Sequence, residues 1–163
     1  MSDFGFLFIG DIVMEKKEYL SQIAAQEKQY SALYRAVGSQ FGLSDCTMWA
    51  LYYLVSSEEP LTQQDLIEKM LFPKQTINSS IMNLVKSGHI ELQIVPGTRN
   101  RKTILLTDTG RKLAEDTVKR MFEAELRAVE NMGKQKMERF SKLYSEFFAA
   151  LQSEFEKEGF IDA

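Results

Sequence analysis

The sequence predicts a mainly α fold of the α+β class, with long helices towards both ends and a short helix–helix–hairpin unit between them. Three observations predict it. Apolar residues recur at three- and four-residue steps over most of the chain, the period drops to two just after Gly88, and only three prolines interrupt 163 residues. With 44% hydrophobic and 26% charged residues, the composition is that of an ordinary globular protein that can build a core without disulfides.

Taken in order, the chain begins with an apolar patch, Phe4 to Ile9, bracketed by Asp3 and Asp11. The patch is too short to span a bilayer and has no basic segment before it, so neither a membrane association nor a signal peptide is expected. It reads as a strand-like or helical arm that packs on something, a partner subunit included. Residues from about Ile12 to Ser39 follow as a long helix, with Tyr19, Leu20, Ile23, Tyr30, Leu33, Tyr34 and Val37 on its apolar stripe. Ser44 is placed to cap a second helix, Asp45 to Val55, which is apolar on most sides and therefore central.

The middle of the chain is the most informative. In Leu61-Thr62-Gln63-Gln64-Asp65-Leu66, Thr62 is spaced to cap a helix with Asp65, and Leu61 and Leu66 are spaced as a hydrophobic staple. That helix stops near Met70, because Pro73 lacks an amide proton and disfavours helical geometry before it. A second short helix opens at Pro73 or Lys74 and ends at Ser87-Gly88. Ile90, Leu92 and Ile94 then alternate with Glu91, Gln93 and Val95 as a strand. Pro96-Gly97-Thr98-Arg99-Asn100 makes a turn, and Thr103 to Leu106 is the returning strand. Thr107 caps a helix from Asp108 to about Met132, stopped by Gly133. A final helix, Lys134 to about Lys157, carries Phe140, Phe147, Phe148 and Phe155.

Two short helices followed by a hairpin form a unit whose second helix can lie in a DNA major groove while the first braces it. On that second helix Ile77, Ile81, Leu84 and Val85 share the face expected to be buried. Lys74, Gln75, Thr76, Asn78, Ser79, Ser80 and Asn83 are left outside. Amide and hydroxyl side chains both donate and accept, as base edges do, and they are poorer helix formers than the residues usual on a solvated face. The hairpin supplies cations: Arg99, Arg101 and Lys102, with Arg111 and Lys112 just beyond, and no acidic residue between Gln93 and Thr107. Arg99, Arg101 and Lys102 are assigned to phosphate or minor-groove contact. The net charge of −3 argues against a protein that coats nucleic acid indiscriminately, yet leaves this one edge basic.

From about Leu61 to Gly110 the chain resembles the MarR family. The likeness is carried by Leu61-Thr62-Gln63-Gln64-Asp65-Leu66, Lys74-Gln75-Thr76-Ile77-Asn78-Ser79, Leu84-Val85-Lys86-Ser87-Gly88-His89-Ile90 and Leu106-Thr107-Asp108-Thr109-Gly110. The resemblance implies a winged helix-turn-helix with long N- and C-terminal dimerisation helices. The arm and dimerisation helix would span 1–43, the DNA-binding domain 44–109, and the C-terminal dimerisation helices 110–163. It implies a transcriptional regulator, a repressor, acting as a homodimer on a pseudo-palindromic site in double-stranded DNA. The aromatic-rich last helix points to the same intersubunit core. Two positions depart from the family pattern: Thr98 and Asn100 stand where the wing usually has Asp and Arg, and Ser79 stands where many relatives carry a basic residue.

The family commonly responds to small aromatic ligands or to cysteine oxidation. Tyr34, Trp49, Tyr52 and Tyr53 are the candidate lining of an effector pocket, although aromatic residues at helical spacing also simply pack. Cys46 is the one redox candidate. As a lone cysteine it forms no internal disulfide, which fits a reducing, cytoplasmic setting. Catalysis is not expected: the single histidine, His89, has no nucleophile partner, and one histidine with one cysteine makes no ordinary zinc site. No metal or cofactor is called for. The alternatives are a winged-helix protein-interaction module without DNA readout and a redox-sensing regulator acting through Cys46.

Overall fold

A computed structural model of the chain describes residues 4–98 and 101–162, with the backbone alone described over 4–13. The residues fall in two compact units, divided between Val118 and Lys119.

The first unit opens with α1, Phe4–Gln40. The helix therefore includes the apolar patch, whose backbone is helical. Ser44 caps α2, Asp45–Ser56, accepting from the Thr47 N–H at 3.2 Å. Met48, Ala50 and Leu51 of α2 are fully buried, and the helix lies against α1, α3, α4 and α5. Such a position requires the nearly all-round apolar character read from its sequence.

Helix α3, Gln63–Met70, begins with a complete capping box. The Asp65 N–H donates to the Thr62 hydroxyl, and the Thr62 N–H donates to the Asp65 carboxylate at 2.7 Å. Leu61 and Leu66 are both buried, as a staple requires. The turn into α4, Lys74–Lys86, passes through Leu71 in the left-handed region at φ 52°, with its side chain 90% exposed. Ile77, Ile81 and Leu84 of α4 close the core over α2.

Strands β1, Ile90–Ile94, and β2, Lys102–Leu106, pair antiparallel with Ile90 opposite Leu106 and Ile94 opposite Lys102. Burial falls along β1, from Ile90 at 2% exposed to Ile94 at 57%, because the hairpin runs out past the core. Beside β2 lies an extended segment that the sequence pattern does not announce. The Ile104 N–H donates to the Leu61 carbonyl at 2.8 Å, and Thr62 bridges Thr103. The hairpin is thereby stitched to the residue pair that starts α3.

Thr107 caps α5, Asp108–Ala114, accepting from the Gly110 N–H at 3.1 Å. The single helix expected from Asp108 to Met132 is instead α5, a π-helical segment Glu115–Lys119, and α6, Arg120–Met132. Within the π segment the Thr117 hydroxyl donates back to the Leu113 carbonyl. A single widened turn shifts the apolar stripe by one position, and a mixture of three- and four-residue steps absorbs that shift, so the pattern reads as one helix.

The second unit holds α6 and α7, Lys134–Lys157, joined at Gly133. Phe140, Leu143, Tyr144, Phe147, Phe148 and Phe155 of α7 are all exposed. Among the described residues no helix is long and apolar enough to cross a membrane.

Candidate nucleic-acid interface

Helix α4 has two unlike faces. Ile77, Ser80, Ile81 and Leu84 are buried. At about 100° per residue, Gln75, Ser79, Met82 and Lys86 fall within an arc of about 60° on the opposite side. All four are exposed, as are Lys74, Thr76 and Asn83 on the flanks. Ser80 is a correction to the sequence reading: it is 7% exposed and lies with the core residues. It sits three residues after Ile77 and one before Ile81, so the helical turn carries it inward whatever its polarity.

Asn78 is half-buried and accepts a hydrogen bond from the Gln63 side-chain amide, which ties α3 to α4. The Ser79 hydroxyl donates to the Gln75 carbonyl at 2.9 Å, one turn back. The amide oxygen of Asn78 and the hydroxyl proton of Ser79 are therefore engaged within the protein. Met82 and Lys86 occupy the outward stripe and were not singled out from the sequence. The signal was present in the spacing, seven and eleven residues after Gln75, but a search for polar readers passes over a methionine.

Arg101, where the turn rejoins β2, faces the start of α3. Its guanidinium stands 3.8 Å from the Asp65 carboxylate and remains 60% exposed. Asp65 is held below the ordinary carboxylate range, first by the Thr62 backbone N–H, then by the Thr62 hydroxyl, with Arg101 adding its charge. One carboxylate thus caps α3 and anchors the wing, from a position outside the hairpin. The wing turn closes through Val95 N–H to the Arg101 carbonyl at 2.9 Å and the Thr98 hydroxyl to the Val95 carbonyl at 2.8 Å. Lys102 is exposed opposite Ile94. Arg99 and Asn100 lie outside the described residues. Arg111, counted with the basic cluster in the sequence, pairs with Asp108 and donates to the Leu106 carbonyl at 2.6 Å.

The end of α4 is locked to the start of α5. The Thr107 and Thr109 hydroxyls both donate to the Gly88 carbonyl, at 2.6 and 2.8 Å, and the Thr107 N–H donates to the His89 carbonyl at 3.1 Å. Gly88 takes φ 73°, which favours glycine. Gly110 is fixed for another reason: a Cβ there would sit 1.8 Å from the His89 carbonyl oxygen. His89 itself bonds Ser87 through Nδ1 at 2.6 Å. Its ring belongs to this joint.

The candidate effector residues separate in space. Tyr34 and Trp49 line a cavity of about 290 Å³ between α1 and α2, together with Tyr30, Arg35, Asp45 and Met48. Tyr52 and Tyr53 do not line it. They pack on Trp49 from α2 at centroid distances of 5.3 and 6.5 Å, and the Tyr53 hydroxyl donates to the Lys69 carbonyl. Cys46, in the first turn of α2, is 4% exposed. Among the described residues no group of His, Cys, Asp and Glu is placed to hold a metal ion.

Two helices with an outward stripe on the second, and a hairpin anchored beside the first, define a winged helix-turn-helix. The sequence profile of the MarR family matches residues 41–99, the stretch that holds α2 to α4 and β1. Solved structures agree on the fold. A MarR family regulator of Neisseria meningitidis, NMB1585, is 21% identical with a TM-score of 0.73 over 86% of this chain and 98% of its own. The Staphylococcus aureus MepR–DNA complex is 22% identical, with a TM-score of 0.58 over 82% of this chain and 96% of that one. NadR in complex with 4-hydroxyphenylacetate is 23% identical, with a TM-score of 0.60 over 78% and 89%. No curated protein matches the chain by sequence.

Proposed function

We propose that this protein is a sequence-specific, double-stranded DNA-binding transcriptional repressor that acts as a homodimer on a pseudo-palindromic operator. The observation that carries the reading is the exposed stripe of α4, backed by a buried apolar face and flanked by a wing whose Arg101 stands beside Asp65 but is still open to solvent. The stripe enters a major groove, and Arg101, Lys102 and Arg99 of the wing meet the phosphates or the adjoining minor groove. MepR, a structure of the same fold, is seen with DNA. A second copy supplies the second reading helix, and the exposed apolar side chains of α7 give it a surface to pack on. The domain roles follow: 1–43 and 110–163 for dimerisation, 44–109 for DNA.

The test is duplex binding as a function of salt. A DNA-binding dimer gives a steep linear fall of log affinity with log salt, shallower by about one per phosphate contact in Arg101→Ala and Arg99→Ala. No duplex binding at any salt would favour a protein-interaction module instead. Light scattering at micromolar concentration is expected to give a dimer.

The cavity between α1 and α2 supports a small aromatic acid as the releasing ligand. Tyr30, Tyr34 and Trp49 offer ring faces, and Arg35 offers a cation for a carboxylate. NadR is seen with such a compound. Trp49 is the sole tryptophan, so its fluorescence reports the site directly. A saturable change on titration with 4-hydroxyphenylacetate is expected; a flat titration would remove that compound class.

A further inference from the structure

The outward stripe of α4 holds one residue that its polar neighbours do not explain. Met82 is 46% exposed at the middle of the stripe, and among the described residues of α4 no other large apolar side chain is exposed. Ser79, one turn before it, spends its hydroxyl proton on the Gln75 carbonyl, and Asn78 spends its amide oxygen on Gln63. The centre of the reading face thus offers less hydrogen-bonding capacity than its sequence suggests, and what projects there is a flexible thioether. A major groove presents one apolar group to such a side chain, the C5-methyl of thymine. Methionine suits that contact, being long, unbranched and polarisable.

We propose that Met82 is a specificity-determining residue that selects thymine by packing on its C5-methyl group, so that each half-site carries an A·T pair facing the middle of α4. The inference rests on the DNA-binding reading above and names the base class that this face selects. Gln75 and Lys86, on the same stripe to either side, reach the neighbouring steps, with Lys86 suited to guanine or phosphate.

The experiment starts with full-length protein and a random-sequence duplex library, from which bound duplexes are selected. The recovered duplex is then resynthesised with deoxyuridine in place of each thymidine in turn, which deletes the methyl group and nothing else. For the unaltered protein, one symmetry-related pair of positions is expected to lose about fourfold in affinity per methyl removed, or about fifteenfold with both half-sites changed. Met82→Ala binds the thymidine and deoxyuridine duplexes alike and melts at the unaltered temperature, since its side chain leaves the core untouched. Deoxyuridine tolerated at every position, or the same loss in Met82→Ala, would overturn the assignment while leaving DNA recognition standing. Failure of the library to yield any preferred sequence would instead remove sequence-specific readout, and the role of Met82 with it.

Discussion

Replacing Gly110 with alanine tests how the reading helix is held. Gly110 lies in the first turn of α5 at an ordinary helical position, where alanine should stabilise by about 1 kcal/mol relative to glycine. The structure reverses that sign. The new Cβ would stand 1.8 Å from the His89 carbonyl oxygen and 2.7 Å from its carbon, and both are backbone atoms with no rotamer to adopt. Relief requires the start of α5 to move away from the end of α4 by more than an ångström, because ordinary contact begins at about 3.4 Å. Three hydrogen bonds bridge that gap, from Thr107 and Thr109 to the Gly88 and His89 carbonyls. Overpacking costs typically about 1–3 kcal/mol and each weakened hydrogen bond about 1 kcal/mol, so a net loss of about 3 kcal/mol is expected. Melting followed by circular dichroism should then fall by roughly 6–12 °C for a chain of this size. Gly38→Ala provides the contrast. Its one tight neighbour would be the Met48 sulfur, at 3.2 Å, part of a side chain; the Leu43 carbonyl at 3.5 Å and the Asp45 carboxylate at 3.9 Å are ordinary contacts, so its melting temperature should change little. Gly110→Ala melting at or above the unaltered protein would refute the account of this joint.

The remaining predictions concern α3 and the turn after it. Asp65 has its carboxyl pKa lowered by Thr62 and Arg101, so its stabilisation is complete above the unfolded value of about 3.9 and is lost as pH falls through the lower folded value. Asp65→Asn should therefore cost about 1 kcal/mol near neutrality, and its gap from the unaltered protein should close in acid. A gap that is constant with pH would contradict the role given to the charge. Leu71 sits at φ 52° with its side chain 90% exposed, so Leu71→Gly relieves the left-handed strain and gives up little burial. Set against the greater freedom of glycine in the unfolded chain, a net gain of about 0.5 kcal/mol is expected from denaturant unfolding, and none from Leu71→Ala, which keeps the strain. A Leu71→Gly variant less stable than Leu71→Ala would show that the turn is not strained.

Much of the architecture was legible along the chain because the signals are local. The capping box at Thr62 and Asp65, the break at Pro73, the change of period after Gly88 and the stop at Gly133 each depend on residues a few positions apart. They place α2 to α4, the hairpin and α7 to within a residue or two. The stripe of α4 was half legible: helical spacing separates Ile77, Ile81 and Leu84 from Gln75 and Ser79. Polarity, however, put Ser80 outside, where the turn of the helix puts it inside. Other features were decided by groups far apart in sequence, and no periodic pattern records these. Arg101 meets Asp65, Gln63 meets Asn78, and Leu61 joins the edge of β2. Gly110 is required by the His89 carbonyl, and Tyr34 reaches Trp49 across two helices. Periodicity reports which way a residue faces along its own element. What it faces depends on how separate elements pack, and that is settled only when the chain closes on its core.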